Sequence, residues 1–455
     1  MEVDMTKGNP FPIILKFMLP LLIGNVFQQL YNMADTIIVG RFVGPEALAA
    51  VGSTGTIMFL VLGFSQGLTT GFTVLTAQCF GAKDMRRVKR SVANAILLSL
   101  LVTILTTFLS VLSMRPLLRL MNTPASIFED AYTYIVIICY GTLASIFYNL
   151  FSAFLRSVGN SRIPLYFLVF SAVLNVGLDL LLIINLHMGV AGAGVATIIS
   201  QGVSAILCLI YIIKKAPVLW PEEKRFWHIN GHDTRHQMTV GIPMALQFAI
   251  TASGTMIMQS AVNLFGATAV AAYTAACKLQ NLLTQGMPAM GQAMSTYCGQ
   301  NYGKMDYKRI QSGVKAALII EVIYSLIAMG LAYVLLNSTL HLFFSGDVST
   351  EEMLPWAATY THICLMFYIP LSFIFVFRNA MQGCGYGFLP MMGGVVELVA
   401  RAVTAAASMA LLSYPLAVLC DPAAWFSAAV FTGISFIHVM KKIKRTLPEP
   451  AESLS

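Results

Sequence analysis

Twelve apolar runs fill most of this chain, and their length limits it to one kind of fold. They fall at about 12–38, 46–80, 91–113, 127–155, 163–185, 191–213, 239–263, 267–299, 312–336, 355–380, 388–412 and 416–440. A bilayer is crossed by about 20 apolar residues in a helix, whereas a barrel strand needs only ~10. In hydrocarbon a helix also satisfies its own backbone N–H and C=O groups, which an isolated extended segment cannot do. The predicted fold class is therefore all-α integral membrane, with twelve transmembrane helices. Composition agrees, because 57% of residues are hydrophobic and 11% charged. A soluble domain carries about 25% charged residues, so this chain could not cover its surface in water. A net charge of +8 would suggest nucleic acid in a soluble protein. Here the basic residues lie mostly in short loops, where they set topology, and no nucleic-acid partner is expected. Met1–Pro10 carries no cleavable signal pattern. The eight cysteines are scattered through apolar segments without metal-like spacing, and read as packing residues.

Sorting the basic residues orients the chain. The N-terminus and even-numbered loops hold Lys7, Lys83, Arg86, Arg87, Lys89, Arg90, Arg156, Arg162, Lys214, Lys215, Lys224, Arg225, Arg235, Lys304, Lys308, Arg309 and Arg378. The C-terminal tail adds Lys441, Lys442, Lys444 and Arg445, while odd loops hold only Arg41, Arg115 and Arg119. The positive-inside rule then puts both termini and the even loops in the cytoplasm.

The sequence also repeats. FVGPEALAA (42–50) returns as LFGATAVAA (264–272), GAKDMRR (81–87) as GKMDYKR (303–309), and FLRSVGNSRIP (154–164) as AMQGCGYGFLP (380–390). Residues 1–213 form an N-terminal lobe of six helices, 214–238 a cytoplasmic linker, and 239–455 a second six-helix lobe with a cytoplasmic tail. Six is even, so the two pseudo-symmetric bundles share one orientation, with their axis along the membrane normal and a cleft between them.

Comparison of the halves isolates a candidate site. Asp35 and Asp179 lie inside apolar spans, where an ionised carboxylate is costly and is kept for a partner or a purpose. Their repeat mates are Ile257 (or Met258) and Ala405, and Asn175 maps onto Arg401. The acids therefore belong to one half alone. Asn25, Gln28, Asn32 and Asp35 share one helical face, as do Ser171, Asn175 and Asp179. Ser145, Asn149 and Ser152 form a similar stripe, as do Thr197, Gln201 and Ser204. Such oxygen-rich faces suit a proton or a small cation such as sodium, although polar stripes also join helices by hydrogen bonds. In the other half Gln247, Thr251, Thr255, Gln259 and Asn263 recur every four residues. Met256, Met287, Met290 and Met294 lie nearby in sequence, offering either a pliable ligand pocket or ordinary packing. Glu397 and Arg401, four apart, can pair. Lys278 and Glu321 can snorkel or pair across helices.

The pattern resembles the multidrug and toxic compound extrusion (MATE) transporters. The resemblance rests on the six-plus-six organisation, ADTIIVGRFVGPEALAA, the GAKD and GKMD loops, and LRSVGNSRIP, and it covers nearly the whole chain. It is strongest to the bacterial MepA- and DinF-like branch with an aspartate in the first and fifth spans. It implies a cation or proton site at Asp35 and Asp179, with Asn175, Asn149 and Thr197 beside them. A sodium-coupled protein would bind the metal ion at Asp35 and Asp179. Candidate substrate-binding residues are Gln28, Asn32, Gln247, Thr251, Met256 and Met287. NorM-type relatives add a seventh-span acid, but 240–263 holds no Asp or Glu. The implied function is export of organic, often cationic, drug-like compounds in exchange for H+ or Na+. No cofactor is implied, and the setting is the bilayer of a bacterial cytoplasmic membrane, with the chain acting as a monomer. A lipid-linked precursor flippase of the same superfamily is the alternative, with Arg401 and Lys278 as its best pyrophosphate grips. No HExxH, GxSxG or His–carboxylate motif supports an enzyme.

Overall fold

The computed structural model describes residues 4–121, 123–343 and 350–446. The last residues of the expected tail, 447–455, lie outside this range. Among the described residues the regular structure is helical: α1 (Pro10–Phe42), α2 (Pro45–Gly81), α3 (Met85–Leu120), α4 (Phe128–Tyr140), α5 (Thr142–Ser157), α6 (Arg162–Asp179), α7 (Gly189–Lys215), α8 (Gly231–Asn263), α9 (Ala267–Leu283), α10 (Gly286–Gly303), α11 (Tyr307–Phe343), α12 (Thr350–Leu365), α13 (Tyr368–Gly383), α14 (Phe388–Leu411), α15 (Tyr414–Val418) and α16 (Cys420–Thr446). Nine spans among the described residues are long and apolar enough to cross a membrane, with α6 counted on to Asn185 and α15 with α16 counted as one, or eleven when two bent pairs are each taken as one. The stretch expected as an eighth span is two helices, α9 and α10, interrupted at Thr284 and Gln285. Neither is among those eleven.

Two helix pairs are bent, one of them at a glycine. α4 and α5 meet at 46° around Gly141. A β-carbon there would overlap the Ile198 side chain, so glycine lets α7 pack against the bend. α12 and α13 meet at 50°. The repeated loop motif builds the same turn twice. Lys83 and Met305 both have positive φ (62° and 64°). Asp84 and Asp306 then accept hydrogen bonds from the backbone N–H groups of Arg87 and Arg309, at 2.9 and 3.0 Å, which satisfies an orphan donor at each helix start.

The chain forms two compact units. One includes Asp4 and Ile23–Phe248; the other includes Met5–Leu22 and the chain from Ala249 onward. Their border therefore cuts through α1 and α8 rather than following chain order. Within the second unit, the segment before α1 is held by polar bonds to its backbone. Arg309 donates from Nε and Nη2 to the Met5 carbonyl, from Nη2 to Lys7 and from Nη1 to Gly8, at 2.7 to 3.1 Å. Gln300 Oε1 accepts from Met5 N–H at 3.0 Å. Within the first unit, the start of α8 is held likewise. Asp233, fully buried, accepts from Arg90 Nε at 2.7 Å, and Asn94 Nδ2 donates to Gln237 Oε1 at 2.7 Å. α8 thus begins at Gly231, inside the stretch expected to be linker.

Candidate functional site

α6 is built inside out. Its buried residues are Pro164, Ser171, Asn175 and Asp179, whereas apolar Phe170 and Val173 are exposed. In water that pattern would be unstable; in lipid it is the expected one, with polar groups turned toward protein. Asn175 is 1% exposed and Asp179 fully buried. Asp179 closes α6, and the chain continues as a π-helical turn over Leu180–Asn185. Such widened turns are frequent at functional sites.

Asp35 comes to this face from α1. Its carboxyl approaches that of Asp179 closely enough for one to hydrogen-bond the other when a proton is present. Five buried polar atoms collect here without hydrogen-bond partners among the described residues: Asp35 Oδ1, both carboxylate oxygens of Asp179, and both side-chain polar atoms of Asn175. No Lys, Arg or His among the described residues acts on either carboxyl group. Two facing carboxylates in low dielectric cannot both be charged without a compensating cation. Among the described residues no three His, Cys, Asp or Glu gather as a metal centre. A monovalent ion bound here would be ligated by the two carboxylates and Asn175.

Sequence reasoning did not assign Tyr31 or Tyr134 to this site. Both lie in the field of the two aspartates, and Tyr31 reaches Gln201, which accepts from Ser145 Oγ. Tyr31 had a usable signal, one turn before Asp35 on the same helix face. Tyr134, on α4 inside an apolar run, had none.

The remaining candidates are placed differently. Asn149 Nδ2 donates to the Ser145 carbonyl at 2.9 Å, and Thr197 Oγ1 to the Ala193 carbonyl at 3.0 Å. Both side chains therefore engage the backbone of their own helices. On α1, Gln28 is half-buried and Asn32 exposed. Gln247 and Thr251 are half-buried on α8. Met256 is 48% exposed, whereas Met287 is fully buried in a core with Tyr273, Tyr360 and Tyr368. The structure does not bring these two methionines to a common surface.

The second unit contains a charge network where the sequence suggested one pair. Arg401 donates from Nε to Asp421 at 2.8 Å, and its Nη1 lies 3.5 Å from Glu397. Arg378 pairs with the other oxygen of Glu397. Arg378 is thus not a loop residue, as its place in the chain suggested, but a buried side chain on α13. Gly254 on α8 makes room for Arg401, whose Nη1 would lie 2.8 Å from a β-carbon at that position. Lys278 and Glu321 form no pair: Lys278 is exposed, and Glu321 is fully buried with neither carboxylate oxygen hydrogen-bonded among the described residues.

Comparison with known proteins points one way. The family model described as MatE matches residues 20–181 and again 243–407. The chain is 33% identical to the probable multidrug resistance protein YpnP of Bacillus subtilis (strain 168), over 68% of each chain. It is 26% identical to the probable multidrug resistance protein YoeA of the same organism, over 72% of each. A solved outward-facing conformation of a multidrug resistance MATE family transporter of the MOP superfamily aligns with a TM-score of 0.91. That match has 22% identity and covers 98% of this chain and 99% of the other, which is a likeness of fold.

Proposed function

We propose a function from one premise, that the chain belongs to the MatE family of membrane transporters: it is a secondary antiporter exporting organic, often cationic, drug-like compounds in exchange for H+ or Na+. Two six-helix lobes, 1–213 and 239–455, joined by 214–238, alternate access across a bacterial cytoplasmic membrane with both termini inside. The observation that carries the reading is the Asp35–Asp179–Asn175 cluster, in which Asp179 and Asn175 are buried, Asp35 is half-buried, and five buried polar atoms have no hydrogen-bond partner among the described residues. A proton shared by the carboxyls, or a sodium ion among them, removes the electrostatic penalty. Its release restores a negative charge that favours a cationic substrate or the opposite access state. Coupling follows if the ion binds the two access states with different affinity. Names of the relatives support drug-like substrates.

The flippase alternative is disfavoured by the second unit. A pyrophosphate grip needs free guanidinium or ammonium donors. Of the two grips, Arg401 is already neutralised by Asp421 and Glu397, which leaves the exposed Lys278 as the one free donor of the pair.

The test is dye efflux from proteoliposomes under a pH gradient and a sodium gradient imposed separately. Wild type is expected to move an ethidium-like cation under one of them. Asp35→Asn, which keeps size and hydrogen bonding, is expected to reduce coupled efflux to background at equal protein, and Asp179→Asn to do so equally or somewhat less. Efflux by Asp35→Asn at the wild-type rate refutes the coupling role. Translocation of a lipid-linked sugar with no dye movement under any gradient favours the flippase.

A further inference from the structure

Two cavities in the first unit are joined by three consecutive residues, and neither takes part in the carboxylate site. The first, about 260 Å³, is lined by Arg86, Arg87, Arg90, Arg225, Phe226, His228 and Asp84. Four guanidinium groups thus meet at the start of α3, where the helix dipole already favours negative charge. Asp233 engages Arg90 and lies 3.8 Å from Arg87, Glu223 pairs with Arg225, and Asp84 caps the helix. Arg86 has no ion pair among the described residues, and Arg87 Nε is buried without a hydrogen-bond partner among them. Arg86, which lines the cavity, is thus a donor left over.

The second cavity, about 460 Å³, is almost wholly apolar, with Ile96, Phe147, Phe151, Leu209, Trp220 and Trp227 in its wall. Its outer edge includes Leu143 and Ile206, which are 50% and 58% exposed, as lipid-facing residues are. Phe226 and His228 line the basic cavity while Trp227, between them, lines the apolar one. Trp227 is braced there: its Nε1 donates to the Pro221 carbonyl at 2.9 Å, and its ring meets Trp220 edge-on at 5.8 Å. Tryptophan at this level is typical of a membrane–water interface. Along α3, Arg86 and Arg87 precede Ile96 by ten and nine residues, about 13–15 Å at 1.5 Å per residue, which lies within the ~20 Å that one leaflet spans.

We propose that these cavities form one binding site for an anionic phospholipid, with its phosphoryl group on Arg86, Arg87 and Arg225 and an acyl chain in the groove beside Trp220 and Trp227. The shared chemistry is a phosphoryl group. The adjoining groove, whose wall includes the exposed Leu143 and Ile206 and whose Trp227 sits between two residues of the basic cavity, selects a lipid over a soluble phosphate. The site lies on the side that the basic loops assign to the cytoplasm, where the leaflet is anionic. It joins α3 to the segment leading into α8, so occupancy ties that segment to the bundle.

The full chain in neutral detergent is titrated with phosphatidylglycerol or phosphatidylcholine carrying brominated acyl chains, following tryptophan quenching. Phosphatidylglycerol is expected to quench at lower concentration than phosphatidylcholine. Each arginine neutralised is expected to weaken phosphatidylglycerol about five-fold, so Arg86→Gln with Arg225→Gln weakens it about twenty-five-fold. Phosphatidylcholine is unchanged by that pair. Both side chains are exposed, so the variants should fold. Arg86→Lys with Arg225→Lys is expected to keep most of the preference. Inorganic phosphate in excess is expected neither to displace the brominated lipid nor to protect the arginines from a guanidine-directed reagent. Equal quenching by both lipids, or no change in the Gln pair, overturns the proposal in favour of nonspecific lipid contact. Displacement or protection by phosphate alone overturns it in favour of a soluble anion.

Discussion

Arg401→Met tests the buried network of the second unit. The Arg401 side chain is 5% exposed, Glu397 7% and Asp421 13%, and with Arg378 the four charges cancel. Removing Arg401 leaves Asp421 without a cation and Glu397 with Arg378 alone, a net negative charge in low dielectric. Loss of one partner from a buried pair costs about 3–5 kcal/mol. For a unit of ~200 residues each kcal/mol moves Tm by about 2–4 °C, so a fall of roughly 6–20 °C is expected. Asp421→Leu alone strands Arg401 in part and lowers Tm in the same direction. The double variant Arg401→Met, Asp421→Leu restores neutrality, because Arg378 and Glu397 still pair. It should recover at least half of the loss, since replacing a buried ion pair by apolar residues is often near neutral. Thermal unfolding of the purified full chain, with tryptophan emission and light scattering as independent probes, reads all three. If the double variant falls by the sum of the two single losses, the residues do not act as a charge-balanced unit and the reasoning fails.

Ile257→Asp, at the repeat mate of Asp35, should lower stability and leave Asp35→Asn without efflux, since Arg401 and Ala405 stand where Asn175 and Asp179 would be needed; proteoliposome rescue would refute this. Glu321→Leu removes a buried carboxyl with no hydrogen-bond partner among the described residues, and is expected to raise Tm rather than lower it. Arg309→Ala deletes four charged hydrogen bonds to the carbonyls of Met5, Lys7 and Gly8, each worth about 1.5–3 kcal/mol. Limited proteolysis should then cut the N-terminal segment before the helices, and an unchanged cleavage order would contradict the anchoring role.

Membrane helices were legible because hydropathy and the 3.6-residue period are local properties of the chain. Apolar runs longer than a bilayer is thick need no tertiary information, and the spacing of Asn175 and Asp179 already placed both on one face of α6. Repetition carried further: GAKDMRR and GKMDYKR announced two turns that the structure builds with the same positive φ and the same aspartate cap. What each polar group bonds was decided elsewhere. Asn149 and Thr197 had the residue type and spacing of ligands, yet each reaches a carbonyl one turn back on its own helix. Arg378 looked like a loop charge until α13 carried it beside Glu397, and Asp421 gave no hint of Arg401, twenty residues away. Asp233 sat in a hydrophilic stretch and became a fully buried partner of Arg90. Sequence fixes which faces of each helix are polar, because side-chain direction follows from helix geometry. Only tertiary packing fixes which faces meet, because the energy of a buried charge depends on neighbours that lie far away along the chain.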